Sequence, residues 1–140
     1  MAARADRDRT VRSVGFFAEL SPGWGLPTDG PIGDAVRPVG EPDEDGIVAY
    51  LMNGTGLWSE MSATTDVLDP EGPTLAGAGS LRTDGTWVWR DDLSYYVHRH
   101  HVVLPAPFLA RVRMLDHTPP RVPDSRLADI LTRDLGIPLD

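Results

Sequence analysis

The sequence predicts an α+β domain, an antiparallel sheet of four or five strands with C-terminal helices packed on one face. Three observations predict it. Strand-like apolar runs dominate the first two thirds of the chain and helical periodicity the last third, an order that argues against βαβ units. Asn53-Gly54 and Asp84-Gly85 supply the dipeptides that turn hairpins. The stretch Thr83 to Val97 then holds a tight turn, an aromatic strand, a helix cap and an amphipathic helix, with four of the chain's seven Trp and Tyr residues. An antiparallel sheet can leave its other face to solvent.

Residues 1–13 alternate Arg and Asp and carry little to bury, so a solvated, flexible tail is expected, followed by one domain over 14–140. Val14 to Leu20 reads as a short strand or anchoring segment. From Ser21 to Gly46 the chain is dense in Pro, Gly and acid. Ser21-Pro22-Gly23, Gly40-Glu41-Pro42 and Asp43-Glu44-Asp45-Gly46 are turn chemistry. A short helix is expected near Ile32 to Arg37, ended by Pro38. A connector of this length is uncommon in a compact domain unless it is functional or mobile.

Ile47 to Met52 reads as a buried strand, turned at Asn53-Gly54 into a return strand Gly56 to Met61. On that strand Leu57, Ser59 and Met61 share one face and Trp58 and Glu60 the other. Thr64 to Val67 either extends it or begins another. Asp69 to Pro73 is a loop. Leu75 to Arg82 reads as extended, with Gly77 and Gly79 permitting close backbone approach. After Asp84-Gly85, Thr86 to Arg90 forms a strand with Trp87 and Trp89 on one face and Val88 on the other. Asp91 or Asp92 caps a helix carrying Leu93, Tyr96, Val97 and His100 or His101. A second helix starts near Pro105 or Pro107, with Phe108, Leu109, Val112 and Leu115 as its stripe. A third, Arg126 to Leu135, is capped by Asp124 or Ser125, buries Leu127, Ile130, Leu131 and Leu135, and ends at Gly136.

Composition excludes several chemistries. There are 140 residues, enough for one real core, and no cysteine, which removes disulfides and thiolate nucleophiles. All 13 cations are Arg; without Lys there is no Schiff base and no P-loop or kinase lysine. The net charge of −8, with no basic block, argues against nucleic acid. No apolar run approaches the roughly 20 residues of a membrane span, and no signal peptide is read at the N-terminus; with the missing cysteines this makes the cytoplasm the expected compartment. Ala76-Gly77-Ala78-Gly79 lacks the third glycine of a dinucleotide loop, and Gly-x-Ser-x-Gly is absent.

Three constellations remain. His98 and His101 lie three apart on one expected helix face and could hold a metal with a carboxylate such as Asp91; His100 lies between them and His117 downstream. The plainer reading leaves His98 and Arg99 in water and lays Val97 and His101 over the sheet, with no cofactor. Trp24, in a Gly/Pro loop, is either a buried anchor or an exposed binding residue, over a partner or a small-molecule pocket. Glu41, Asp43, Glu44 and Asp45 are either a solvated loop or a docking surface that speeds association with a basic protein.

Thr83-Asp84-Gly85-Thr86-Trp87-Val88-Trp89, then Leu93-Ser94-Tyr95-Tyr96-Val97, then Leu104-Pro105-Ala106-Pro107-Phe108-Leu109 resembles a pattern in small uncharacterised bacterial proteins. There a Thr-Asp-Gly-x-Trp-x-Trp strand precedes a Tyr-Tyr helix and a Leu-Pro-x-x-Phe helix start. Some of those proteins resemble immunity proteins carried beside polymorphic toxins. The resemblance covers about residues 80–112 and brings no catalytic residues. It implies a non-enzymatic protein whose partner is another protein, a basic toxin.

Overall fold

A computed structural model describes residues 10–20 and 24–138. The expected turn Ser21-Pro22-Gly23 and the first nine residues of the expected tail lie outside that range. The chain is α+β. Its main sheet has four strands in the order β1 (Arg12–Ser13), β6 (Trp87–Arg90), β5 (Leu81–Thr83) and β2 (Thr55–Trp58); β3 (Ala63–Thr65) and β4 (Thr74–Ala76) form a separate antiparallel pair. Pairing within the main sheet is antiparallel except at β1, which runs parallel to β6, so the sheet is mixed. The helices are α1 (Glu44–Met52), α2 (Leu93–His100), α3 (Ala106–Met114) and α4 (Asp124–Asp129), the last continuing as a wider π turn over Ile130–Asp134.

The β5–β6 hairpin is the element on which the sheet is built. Gly85 takes a φ of 91°, the left-handed conformation that glycine adopts without steric cost. The Asp84 carboxylate accepts the Thr86 and Trp87 N–H groups at 2.9 and 2.7 Å, closing the turn. Beyond it Trp87 and Trp89 project to one face and Val88 to the other, as strand alternation requires.

Each face carries its own core. Trp87, Trp89 and Phe108 interlock edge-to-face with centroids 5.3 and 5.6 Å apart, and Tyr50 of α1 closes the group. Helices α1, α2 and α3 cover this side through Ile47, Leu51, Leu93, Tyr96, Leu109 and Val112. On the other side Val88, Leu81, Leu57 and Phe16 meet Ile130 and Leu135 from the last helix. The helices therefore divide between the two faces, and neither face is left to solvent. Val14 and Phe17 serve the first core and Val11 and Phe16 the second, so the segment expected to anchor the chain reaches both.

Four expectations need correction. Ile47 to Met52 is helix, not strand: Ile47, Tyr50 and Leu51 are buried at helical spacing, and the acids Asp43 to Asp45 sit where a helix N-terminus favours negative charge. Asn53-Gly54 accordingly turns a helix into β2 and not a hairpin; the Asn53 N–H bonds to the Ala49 and Tyr50 carbonyls. Gly54 is required for space, since a Cβ there would lie 2.4 Å from the Trp89 ring. Leu75 to Arg82 is not continuous: a turn around Gly77, at φ 67°, separates β4 from β5 and places them in different sheets. Residues 10–13 are part of the fold. Arg12 and Ser13 pair with β6, while buried Asp134 accepts the Thr10 and Val11 N–H groups and the Thr10 hydroxyl.

The helix starts also differ in detail. Asp92 occupies the N-cap of α2, but its carboxylate makes no cap bond and turns to Arg90, at 3.0 and 3.1 Å. Burial pushes its pKa up, and the guanidinium opposes that shift. Asp91 pairs instead with Arg82 at 2.6 Å. Helix α4 is preceded by Pro123, with no side-chain cap from Asp124 or Ser125. Gly136, at φ 68°, ends the chain's last helical turn as expected.

Candidate functional site

The acidic stretch before α1 is tied into the fold. Arg113 reaches back from α3 and grips Asp43 with both ends of its guanidinium, at 2.9 Å each, and Glu41 at 2.9 Å. His117 adds a contact to Asp43 at 2.7 Å. The Arg113 bond is the main reason the Asp43 carboxyl is held well below the usual carboxylate range. Glu44 pairs with His101 at 2.8 Å. Of the four acids only Asp45 is exposed. Three of the four charges expected to face a partner therefore clamp α1 to the ends of α2 and α3.

The residues of the alternative metal reading are kept apart. Helix α2 stops at His100, and His101 takes a left-handed φ of 53° that turns its ring toward Glu44. His98 is exposed, and Asp91 is held by Arg82. Among the described residues, no group of three or more His, Asp or Glu is placed to hold a metal ion. Helical spacing put His98 and His101 on one face only on the assumption that the helix continued through both.

His100 has a partner that the spacing did not reveal. Its Nε2 lies 2.6 Å from Oδ2 of Asp66, which also accepts the Tyr95 hydroxyl at 2.7 Å. Oδ1 of Asp66 accepts the Leu68 N–H at 2.7 Å, and the neighbouring Tyr96 hydroxyl accepts the Val67 N–H at 3.0 Å. Burial of Asp66 raises its pKa, but the three bonds together outweigh this and leave it lowered. The cluster fixes residues 66–68 against α2. Nothing in the sequence pairs Asp66 with a residue 34 positions later.

Trp24 is half-buried against the second core, and its ring meets Trp58 edge-to-face at 5.6 Å. Trp58 is 38 % exposed, and Met61, three residues on, is 96 % exposed. Trp58 and Met61 have a strand reading in the sequence, with stacking on bases or sugars as an alternative for Trp58; the exposure of Met61 is visible only once the core is known. Glu60 lies between them in sequence and bonds to Ser62. Aromatic and Met side chains left on a surface are the type that dominate binding energy at protein interfaces.

Two clefts adjoin one another elsewhere. One, of about 390 Å³, lies beside β1 and is lined by Arg12, Ser13, Asp29 and Trp87. The other, of about 210 Å³, is lined by Phe17, Ala35 and Leu104. Asp29 and Pro105 border both, and Trp24 borders neither.

The fold and these surfaces define a small α+β protein whose charged networks are largely structural. Comparison with protein-family models, curated proteins and solved structures finds no match to this chain. No helix among the described residues is long and apolar enough to cross a membrane.

Proposed function

We propose that this is a non-enzymatic interaction protein that binds a basic protein through the Trp24–Trp58–Met61 surface, as an immunity protein neutralises a toxin. The observation that carries the reading is the Trp24–Trp58 pair, with Met61, 96 % exposed, three residues beyond Trp58 in the chain. Met61 lies almost wholly in water and part of Trp58 is exposed, apolar surface that a partner would cover. The net charge of −8 supports a basic partner through the field of the whole molecule, which speeds encounter, and not through the loop at Glu41 to Asp45.

The test is capture on immobilised protein at low salt. Wild type should recover a basic protein that elutes as salt rises. A Trp58→Ala/Met61→Ala double variant should recover none while remaining folded by circular dichroism, and Met61→Ala alone, at a side chain 96 % exposed, should weaken recovery with no change in melting temperature. Equal recovery by the double variant, capture that ignores salt, or no capture at all would refute the proposal.

A further inference from the structure

Most charged side chains drawn into this fold are neutralised within it. Asp43 and Glu41 meet Arg113, Asp84 meets Arg111, Asp92 meets Arg90 and Asp66 meets His100. Arg12 and Asp29 differ: both are exposed. They border the same cleft, beside β1, and form no ion pair with each other or with another described residue.

Each is held in place by contacts that include no counter-charge. The Arg12 guanidinium lies over the Trp87 ring, 4.2 Å from its centroid, a cation–π arrangement that positions the group and leaves its N–H donors without a hydrogen-bond partner among the described residues. Asp29 is held through one oxygen, Oδ2, which accepts the Gly15 and Phe16 N–H groups at 2.5 and 3.1 Å. Its Oδ1 has no partner among the described residues. Desolvation pushes the Asp29 pKa up despite those two bonds, although the residue as a whole is exposed.

The backbone adds two polar groups. In the parallel pairing the Arg12 N–H bonds to the Thr86 carbonyl and the Val14 N–H to the Val88 carbonyl. The peptide N–H and C=O of Ser13 therefore face the open edge of the sheet, where Ser13 lines the cleft. The smaller cleft runs on from Asp29 and Pro105 and is walled by Phe17, Ala35 and Leu104, which suit an apolar side chain.

The geometry points to a binding site for a small zwitterion with an apolar side chain, a free amino acid or a short peptide. Its carboxylate would meet Arg12, its ammonium group Asp29, and its side chain the smaller cleft. Arg is suited to the first role because its fork bonds a carboxylate through two N–H groups. This site is separate from the Trp24–Trp58 surface and stands or falls without it.

The test is calorimetric titration of the whole chain with leucine, leucyl-leucine, leucine amide and N-acetyl-leucine. At least one of the two zwitterions should bind at up to about 10 mM. Leucine amide, lacking the carboxylate, and N-acetyl-leucine, lacking the ammonium, should bind at least about tenfold more weakly. Tighter binding of leucine than of leucyl-leucine identifies a free amino acid, and the reverse a peptide. Arg12→Gln should weaken the zwitterion about tenfold and leave leucine amide unchanged. Asp29→Asn, which keeps an oxygen for Gly15 and Phe16, should do the same for the ammonium end; if it fails to fold, Arg12→Gln decides alone. No binding by wild type, equal binding of the blocked forms, or an Arg12→Gln variant that binds as wild type overturns the site.

Discussion

Asp84 carries more of the fold than any other single charge. Oδ1 closes the β5–β6 turn, and Oδ2 accepts the Tyr50 hydroxyl at 2.6 Å and Arg111 Nε at 2.9 Å. It joins the hairpin to α1 and α3, and it is buried. Burial, reinforced by that carboxylate, pushes the Tyr50 hydroxyl's pKa up. Asp84→Ala would strand a tyrosine hydroxyl, two backbone N–H groups and a cation. A loss of roughly 3–5 kcal/mol is expected in urea denaturation, against no more than about 0.5 kcal/mol for Asp45→Ala at an exposed position.

The acid limb of stability belongs to the same scale. Asp43 and Asp66 have folded pKa values below their unfolded ones. Their contribution is therefore complete above the ordinary carboxylate value of about 3.9 and is lost as pH falls through the folded values. Asp29 and Asp92 are shifted upward and act in the opposite sense. Urea midpoints should drop as pH falls below about 4, and the drop should shrink in Asp66→Asn. An unchanged drop would mean that the Asp66 cluster contributes nothing across that range. None of these networks was legible beforehand, because partners such as Asp66 and His100 or Asp43 and Arg113 are 34 and 70 residues apart.

At the scale of elements, the sequence was read well where period and punctuation agree. Asp84-Gly85, the alternation of Trp87, Val88 and Trp89, and the stripe Phe108-Leu109-Val112 all have one reading. It was misread where a short apolar run fits two. Ile47 to Met52 is six residues long, and length could not choose between strand and helix. The preceding acids Asp43 to Asp45, which also suit a loop, are the available signal for a helix start. Gly54 follows the same pattern. Its glycine was attributed to a turn, but the indole of Trp89 claims the space a side chain would fill. Gly54→Ala should cost about 1–3 kcal/mol by overpacking, whereas Gly56→Ala, with nothing within 4 Å, should not disturb the core. Equal melting temperatures for the two variants would remove this account.

The whole molecule is a sheet covered on both sides. The last helical turn accomplishes this by burying Ile130 among Phe16, Leu81 and Val88, and by using Asp134 to hold residues 10 and 11. If the second core is as integral as the first, Ile130→Ala should cost about 2–5 kcal/mol in a single cooperative transition. A loss below about 1 kcal/mol, or a separate early transition for the C-terminus, would show that the last helix is only an appendage.

The sequence by itself determined the α+β class, the hairpin at Asp84-Gly85, the three C-terminal helices and the inner faces of the strands and helices it read correctly. These follow from local rules: the period of a strand, the period of a helix, and the few residues that tolerate a turn. Only the tertiary structure decided that α1 is a helix, that β1 joins the sheet in parallel, and that the acids before α1 face Arg113 and His117 instead of a partner. It alone set Arg12 and Asp29 across one cleft. The reason is that burial and charge pairing depend on which distant segments meet, and spacing along a chain carries no record of that.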